Sequence, residues 1–190
     1  MKLSAKLFQI LPPKSGTSKS GPWRKQDIVV ETTGKFQKKL FLTIWNDKIN
    51  VQSSQIGELF NIDIDIDSNE FEVKWYNHII VKELTLSNSD FLLPNIQMQL
   101  NANLVKILPS SSGIKGDTSW KKQEIIVQTT EENPRKICFQ ILNDSVDISS
   151  YETGDELVVF FEINSYEYNG KWYSIFKAWR IWNKKFFKSF

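Results

Sequence analysis

The chain repeats itself, and that repeat constrains the fold more than any other feature. Gly21-Pro22-Trp23-Arg24-Lys25-Gln26-Asp27-Ile28-Val29-Val30-Glu31-Thr32-Thr33 returns as Thr118-Ser119-Trp120-Lys121-Lys122-Gln123-Glu124-Ile125-Ile126-Val127-Gln128-Thr129-Thr130. The offset between the two Trp carries over to Leu11-Pro12 against Leu108-Pro109, Gly16 against Gly113, Asn46-Asp47 against Asn143-Asp144, Gly57 against Gly154, and Lys74-Trp75-Tyr76 against Lys171-Trp172-Tyr173. No gap is needed, and about three positions in ten are identical. The period is too long for a solenoid unit and suits a small domain. The 190 residues therefore divide into two domains, expected at residues 1–86 and 101–183, with a linker at 87–100 and a basic, aromatic tail at 184–190. Each domain is just large enough for its own core.

Within a copy the periodicity is that of strands. Leu40, Leu42 and Ile44 alternate with Phe41, Thr43 and Trp45, a period of two. Copy two keeps the first set apolar, as Ile137, Phe139 and Ile141, and changes the second to Cys138, Gln140 and Leu142. The first set is the expected core and the second the expected outer face. Phe60, Ile62, Ile64 and Ile66 alternate with Asn61, Asp63, Asp65 and Asp67 in the same way. The acidic set reads as a solvated edge that discourages sheet aggregation. A β-branched run at Gln26–Thr33, a short apolar run at Ala5–Leu11 and a last strand from Lys74 to about Leu86 complete the copy.

The polar segment from Lys14 to Arg24 reads as a long loop. The segment Asn46–Ile56 reads as one or two helical turns ended by Gly57. Five strands with a short helix between the third and fourth are the order of the OB-fold, a five-stranded Greek-key barrel. An SH3-like barrel is the alternative, and the helix position favours the OB-fold. The fold class expected is thus all-β, two tandem OB-fold domains.

The motifs also resemble a known family. Leu11-Pro12, Ser15-Gly16-Thr17, Gly21-Pro22-Trp23-Arg24-Lys25-Gln26 and Trp45-Asn46-Asp47 are similar to a small bacterial and phage OB-like family of unassigned function. So are Glu167-Tyr168-Asn169-Gly170-Lys171-Trp172-Tyr173 and Ala178-Trp179. Members usually have one such domain, and many carry a Pro-rich tail ending in acidic residues and Phe, like bacterial single-stranded DNA-binding proteins. The resemblance implies single-stranded DNA binding, in replication or repair. This chain departs from the pattern: it has two domains, its C-terminus is basic and aromatic, and Glu72-Val73 replaces the Asn169-Gly170 turn in copy one.

A single-strand binder needs cations for phosphates and flat aromatic faces for bases. The first loop offers Lys14, Lys19, Trp23, Arg24 and Lys25 in copy one, and Lys115, Trp120, Lys121 and Lys122 in copy two. The hairpin after strand four adds Phe71, Trp75 and Tyr76, and Tyr166, Tyr168, Lys171, Trp172 and Tyr173. In OB-folds these loops flank the ligand groove. Lys38-Lys39 and Arg135-Lys136 open strand three beside them. Two readings are open for Trp23 and Trp120, base stacking or plugging the barrel end. Phe41 and Trp45 can stack bases or meet another sheet. Val158 and Phe160, an apolar outer patch in copy two, point to packing on the other domain or on a second chain, a possible homo-oligomer.

Other classes find less support. The net charge is only +2, so a basic surface has to come from local clustering. Asp63-Ile64-Asp65-Ile66-Asp67 resembles the start of a Ca²⁺ loop, but Ser68 stands where Gly is needed and Lys74 where Glu is needed. His78 matches Ile175 in copy two, which suggests a packing position. No nucleophile elbow, phosphate loop or zinc ligand set is present, so no cofactor, metal or enzymatic activity is expected. Cys138 is the only cysteine, which suits a reducing compartment. No signal peptide and no apolar run of roughly 20 residues is visible. A cytoplasmic protein with no membrane contact is expected, bacterial, or in the host cytoplasm if phage-encoded. The function expected is non-enzymatic binding of single-stranded nucleic acid, DNA rather than RNA, with low sequence preference. The alternative is an OB-fold protein-interaction or assembly module, bacterial or phage.

Overall fold

The computed structural model describes residues 1–46, 49–51, 53–87 and 98–186. Copy one forms β1 (Lys2–Ile10), β2 (Lys14–Ser18), β3 (Gly21–Thr32), β4 (Lys39–Trp45), β5 (Leu59–Phe71) and β6 (Lys74–Leu86). Copy two forms β7 (Met98–Ile107), β8 (Ser111–Lys115), β9 (Thr118–Thr129), β10 (Lys136–Leu142), β11 (Glu156–Tyr168) and β12 (Lys171–Asn183), followed by a 3-10 turn at Lys184–Phe186. Most of the linker and the end of the tail lie outside the described residues, as do Asp47 and the expected packing of Phe91, Leu92, Leu93, Pro94 and Ile96. Among the described residues no helix is long and apolar enough to cross a membrane.

Each copy closes a barrel. In copy one β4 pairs β3, β3 pairs β1 and β1 pairs β5, all antiparallel. β5 pairs β6, and β6 returns to β4 in parallel, with Thr43 opposite Ile80. Copy two repeats this through β10, β9, β7, β11 and β12, closing with Gln140 opposite Lys177. That is the strand order of an OB barrel. The faces expected inside are inside: Leu40, Leu42, Ile44, Ile62, Ile64 and Ile66 are buried, as are Phe139, Leu157, Val159 and Phe161. β1 and β7 carry bulges at equivalent places, Leu7/Gln9 and Leu104/Lys106. A bulge re-aims one side chain of its strand.

Four expectations are corrected. Among the described residues there is no helix between the third and fourth expected strands. Asn143–Asp155 is a run of separate turns closed by Ser145, Tyr151 and Asp155 N–H groups, each donating to the carbonyl three residues back. Short side chains take the backbone groups a helix would use: Asp147 accepts from Ser149 N–H at 2.9 Å and Asp155 from Glu152 N–H at 2.8 Å. The described residues of the equivalent segment in copy one are turn and bend too. Second, the basic loop is not a loop. β2 pairs the first half of β3, and β8 the first half of β9, so each copy has six strands and a projecting two-stranded arm. Its Gly, Ser and Thr carry no apolar alternation, which is why the sequence hides it. Third, β5 lies between β1 and β6, so the acidic stripe is no sheet edge. Its Asp63, Asp65 and Asp67 are half-buried. His78, expected to pack, is exposed.

The described residues form two compact units, and the units are not the two copies. Unit 1 takes Met1–Ile66, His78–Ile96 and Asn164–Ser174; unit 2 takes Asp67–Asn77, Gln97–Ile163 and Ile175–Phe190. In unit 1 the tip of the β11–β12 hairpin lies on β4. Phe41 N–H donates to Ser165 Oγ at 2.9 Å, Ser165 shares a hydrogen bond with Ser174, and Phe41 stacks on Trp172 with ring planes 2° apart. In unit 2 the tip of the β5–β6 hairpin lies on β10. Cys138 N–H donates to Ser68 Oγ at 2.9 Å, Ser68 donates to Asn77 at 2.6 Å, and Asn77 donates to the Cys138 carbonyl at 3.2 Å. Burial under this tip pushes the Cys138 thiol up to about 12.

Candidate nucleic-acid interface

The repeated Trp-basic-Gln stretch builds the arm. Gln26 donates to the Leu11 carbonyl, and Gln123 to the Leu108 carbonyl at 3.2 Å. Each Gln ties the root of its arm to the end of the first strand. One turn out, Trp23 stands opposite Gly16 and Trp120 opposite Gly113. A Cβ on Gly16 would come within 2.7 Å of the Trp23 ring, and one on Gly113 within 2.8 Å of Trp120. The glycines let each indole lie flat across the arm. The Trp are therefore not barrel plugs: Trp23 is half-buried and Trp120 is 41% exposed.

An Asn at the end of the next strand holds the basic residue in place. Asn46 N–H donates to the Arg24 carbonyl at 2.8 Å, and its side-chain oxygen accepts from Arg24 N–H at 3.4 Å. Asn143 does the same to Lys121, at 2.8 and 2.9 Å. Both Asn take the left-handed conformation, φ 56° and 51°, which Asn tolerates better than most residues. The result is a shallow, open depression that recurs at equivalent positions. Ser15, Gly16, Thr17, Pro22, Trp23, Arg24 and Asn46 line it in unit 1; Ser112, Gly113, Ile114, Ser119, Trp120, Lys121, Asn143 and Asp144 line it in unit 2. Sequence reasoning gives neither the Asn nor the Gly a role, although their recurrence at the shared offset marks them.

The cations differ in how far their charge is spent. Lys25 pairs with the buried Asp27 at 2.9 Å, which also accepts from Thr43 at 2.8 Å. Lys122 pairs with Glu124 at 3.2 Å, Lys121 with Asp144 at 2.8 Å and Arg135 with Glu131 at 2.7 Å. Such exposed pairs are weak, so a phosphate can compete for them. Lys14, Lys19, Lys115, Lys136 and Lys171 are exposed and carry no carboxylate partner among the described residues. Lys39 opens β4 and Lys38 precedes it, both half-buried.

The aromatics are redistributed. Trp75 and Tyr76 of copy one belong to unit 2, and Tyr168, Lys171, Trp172 and Tyr173 of copy two belong to unit 1. The groove expected between a copy's own arm and its own hairpin is not what the units assemble. Each unit joins the arm of one copy to the hairpin tip of the other. Phe41 is not an open platform, since Trp172 covers it, and Trp45 is 38% exposed with Trp23 edge-on at 6.0 Å. Tyr173 stacks on Tyr166 at 5.7 Å. Phe160 is no outer patch either: it is buried beneath Trp179 and Trp182. Among the described residues no group of acidic, His and Cys side chains is placed to hold a metal.

The model of a family described as a domain of unknown function (DUF3127) matches residues 2–82 and again 99–182. No curated protein matches the chain in sequence. Among solved structures, a deletion mutant of the single-stranded DNA binding protein from Thermus aquaticus is similar, at 12% identity and TM-score 0.61, over 100% of this chain and 94% of that one. The wild-type form of that protein gives 12% identity and TM-score 0.59, over 96% and 90%. At such identity the likeness speaks for the fold, two OB barrels in one chain.

Proposed function

The chain belongs to the DUF3127 family, matched twice, and from that premise we propose that it binds single-stranded nucleic acid, DNA rather than RNA, with little sequence preference. The observation that carries the reading is the recurring depression on each arm. An indole held flat on a glycine stands beside a basic residue clamped by a left-handed Asn, in both units. Aromatic faces and cations along a groove are what a sequence-tolerant single-strand site requires. Trp23 and Trp120 stack bases; Lys14, Lys19, Arg24, Lys115 and Lys121 take phosphates. The reading involves no chemical step and no cofactor. Two weak sites on one strand raise the effective local concentration and so the affinity. We further propose residues 1–86 and 101–183 as the two domains, joined by 87–100, in a cytoplasmic protein.

Fluorescence anisotropy with labelled oligo-dT across a salt series tests this. The expected result is binding at low salt that weakens as salt rises, because phosphate contacts release counterions. No binding at low salt, or binding indifferent to salt, overturns it.

A protein-interaction role is the second reading, favoured by one observation. Trp182 is 40% exposed, with the Arg180 guanidinium 5.7 Å from its ring. Tryptophan and arginine are enriched at protein interfaces. A partner retained after nuclease treatment, or a dimer by light scattering that Trp182→Ala disperses, supports this reading over the first.

A further inference from the structure

Unit 1 contains a second cleft, apart from the depression on its arm. Phe8, Lys38, Lys39, Tyr166, Glu167 and Trp172 are among its walls. Phe8 sits at the bulge of β1 and is 42% exposed. The Lys39 ammonium lies 3.6 Å from the centre of its ring and has no carboxylate partner among the described residues. A cation held by an aromatic face keeps its full charge for an incoming anion. Opposite, Trp172 is fixed in orientation by its stack on Phe41, and Tyr166 by its stack on Tyr173. One wall is thus cationic and the other is a preset aromatic surface. The counterparts of Phe8 and Tyr166 in the other copy are Val105 and Asn69, so the same chemistry is not repeated there.

We infer that this cleft is a nucleotide subsite, taking one base against Trp172 and Tyr166 and the adjoining phosphate on Lys39 and Lys38. The inference rests on the reading that the chain binds single-stranded nucleic acid, and adds a contact to it. Glu167 gives the subsite a direction. Its carboxylate repels phosphate from the aromatic wall and leaves the lysine wall as the anionic end. Cations from copy one and aromatics from copy two complete one site, so the hairpin tip Asn164–Ser174 acts as part of the ligand surface of unit 1.

The test uses the full chain, oligo-dT and thymidine 5′-monophosphate. Trp172→Ala is expected to weaken oligo-dT binding roughly five- to a hundred-fold, the range of a lost base stack. Lys39→Gln, which leaves the Phe41 stack in place, is expected to weaken it several-fold and to lower the salt slope by about 0.7, one phosphate on a single strand. Competition by the mononucleotide that Trp172→Ala abolishes extends the site to free nucleotides. Absence of competition with both losses present confines it to a strand. If Lys39→Gln binds with wild-type affinity and slope while Arg24→Glu does not, the subsite is wrong and the general reading stands. If the wild-type chain fails to bind oligo-dT at low salt, both fall.

Discussion

The two arms and the two hairpin seats of this molecule repeat each other to different degrees, and the contrast separates architecture from ligand chemistry. In the arms, the glycine under the indole, the clamping Asn and the root Gln recur with the same partners. On the hairpin seats, the serine that accepts from the β4 or β10 backbone recurs, as does the Lys-Trp-Tyr run of the tip, but their surroundings differ. Around the serine, Phe41 becomes Cys138, and the stack of Phe41 on Trp172 is exchanged for a hydrogen bond that Asn77 donates to the Cys138 carbonyl. What recurs holds the arms and hairpins in place. What has drifted is charge and aromatic surface, so the two units share a scaffold but not the same exposed chemistry.

The largest effect expected is at the shared feature. Gly16→Ala and Gly113→Ala each drive a methyl into an indole, at a cost of about 1 to 3 kcal/mol if the ring cannot move away. Urea unfolding and near-UV dichroism should show similar losses for both; a marked inequality breaks the claim that the arms are equivalent. Next comes the difference in charge. Arg24→Glu should raise the Kd for oligo-dT about tenfold and Lys121→Glu about threefold, because the arm of copy one carries the denser cation cluster, Lys14, Lys19, Arg24 and Lys25 against Lys115, Lys121 and Lys122. Equal losses in anisotropy titrations contradict unequal units.

Of similar size, on stability rather than binding, is the clamp. Asn46→Ala and Asn143→Ala should each cost about 1 to 2 kcal/mol through the left-handed backbone, and the Gly variants much less. Alanine variants as stable as wild type would remove the strain argument.

The smallest effect concerns Cys138, whose counterpart Phe41 does not titrate. Its thiol is held up by burial in the folded state. The contribution is therefore complete below the unfolded thiol range, about 8.5, and fades as pH rises toward the folded value. Between pH 8 and 9.5 the wild type should lose up to about 1 kcal/mol relative to Cys138→Ala. A parallel pH dependence of the two proteins contradicts burial as the cause.

Much of this was legible in the sequence. Period-two alternation in Lys39–Trp45 and Phe60–Asp67 marks real strands with the expected inner faces, because a barrel wall buries every second residue. The arms were not legible as strands, since Lys14–Ser18 pairs through backbone and a Gly–Trp contact that leaves no apolar pattern. The helix was expected because apolar residues punctuate residues 46–56, yet in the equivalent segment of copy two Asp147 and Asp155 cap single turns instead. The aromatic set Tyr166, Trp172 and Tyr173 was visible in the sequence. Its partners were not, because a sequence gives no sign that a hairpin tip serves a barrel other than its own.

The most direct test of the central claim is quenching of tryptophan emission on titration with unlabelled oligo-dT at low salt, in the wild type and in a Trp23→Phe/Trp120→Phe double variant. Saturable quenching is expected in the wild type, with most of its amplitude gone in the double variant. Quenching of the same amplitude in both proteins would place the bases elsewhere than on the arms and contradict it.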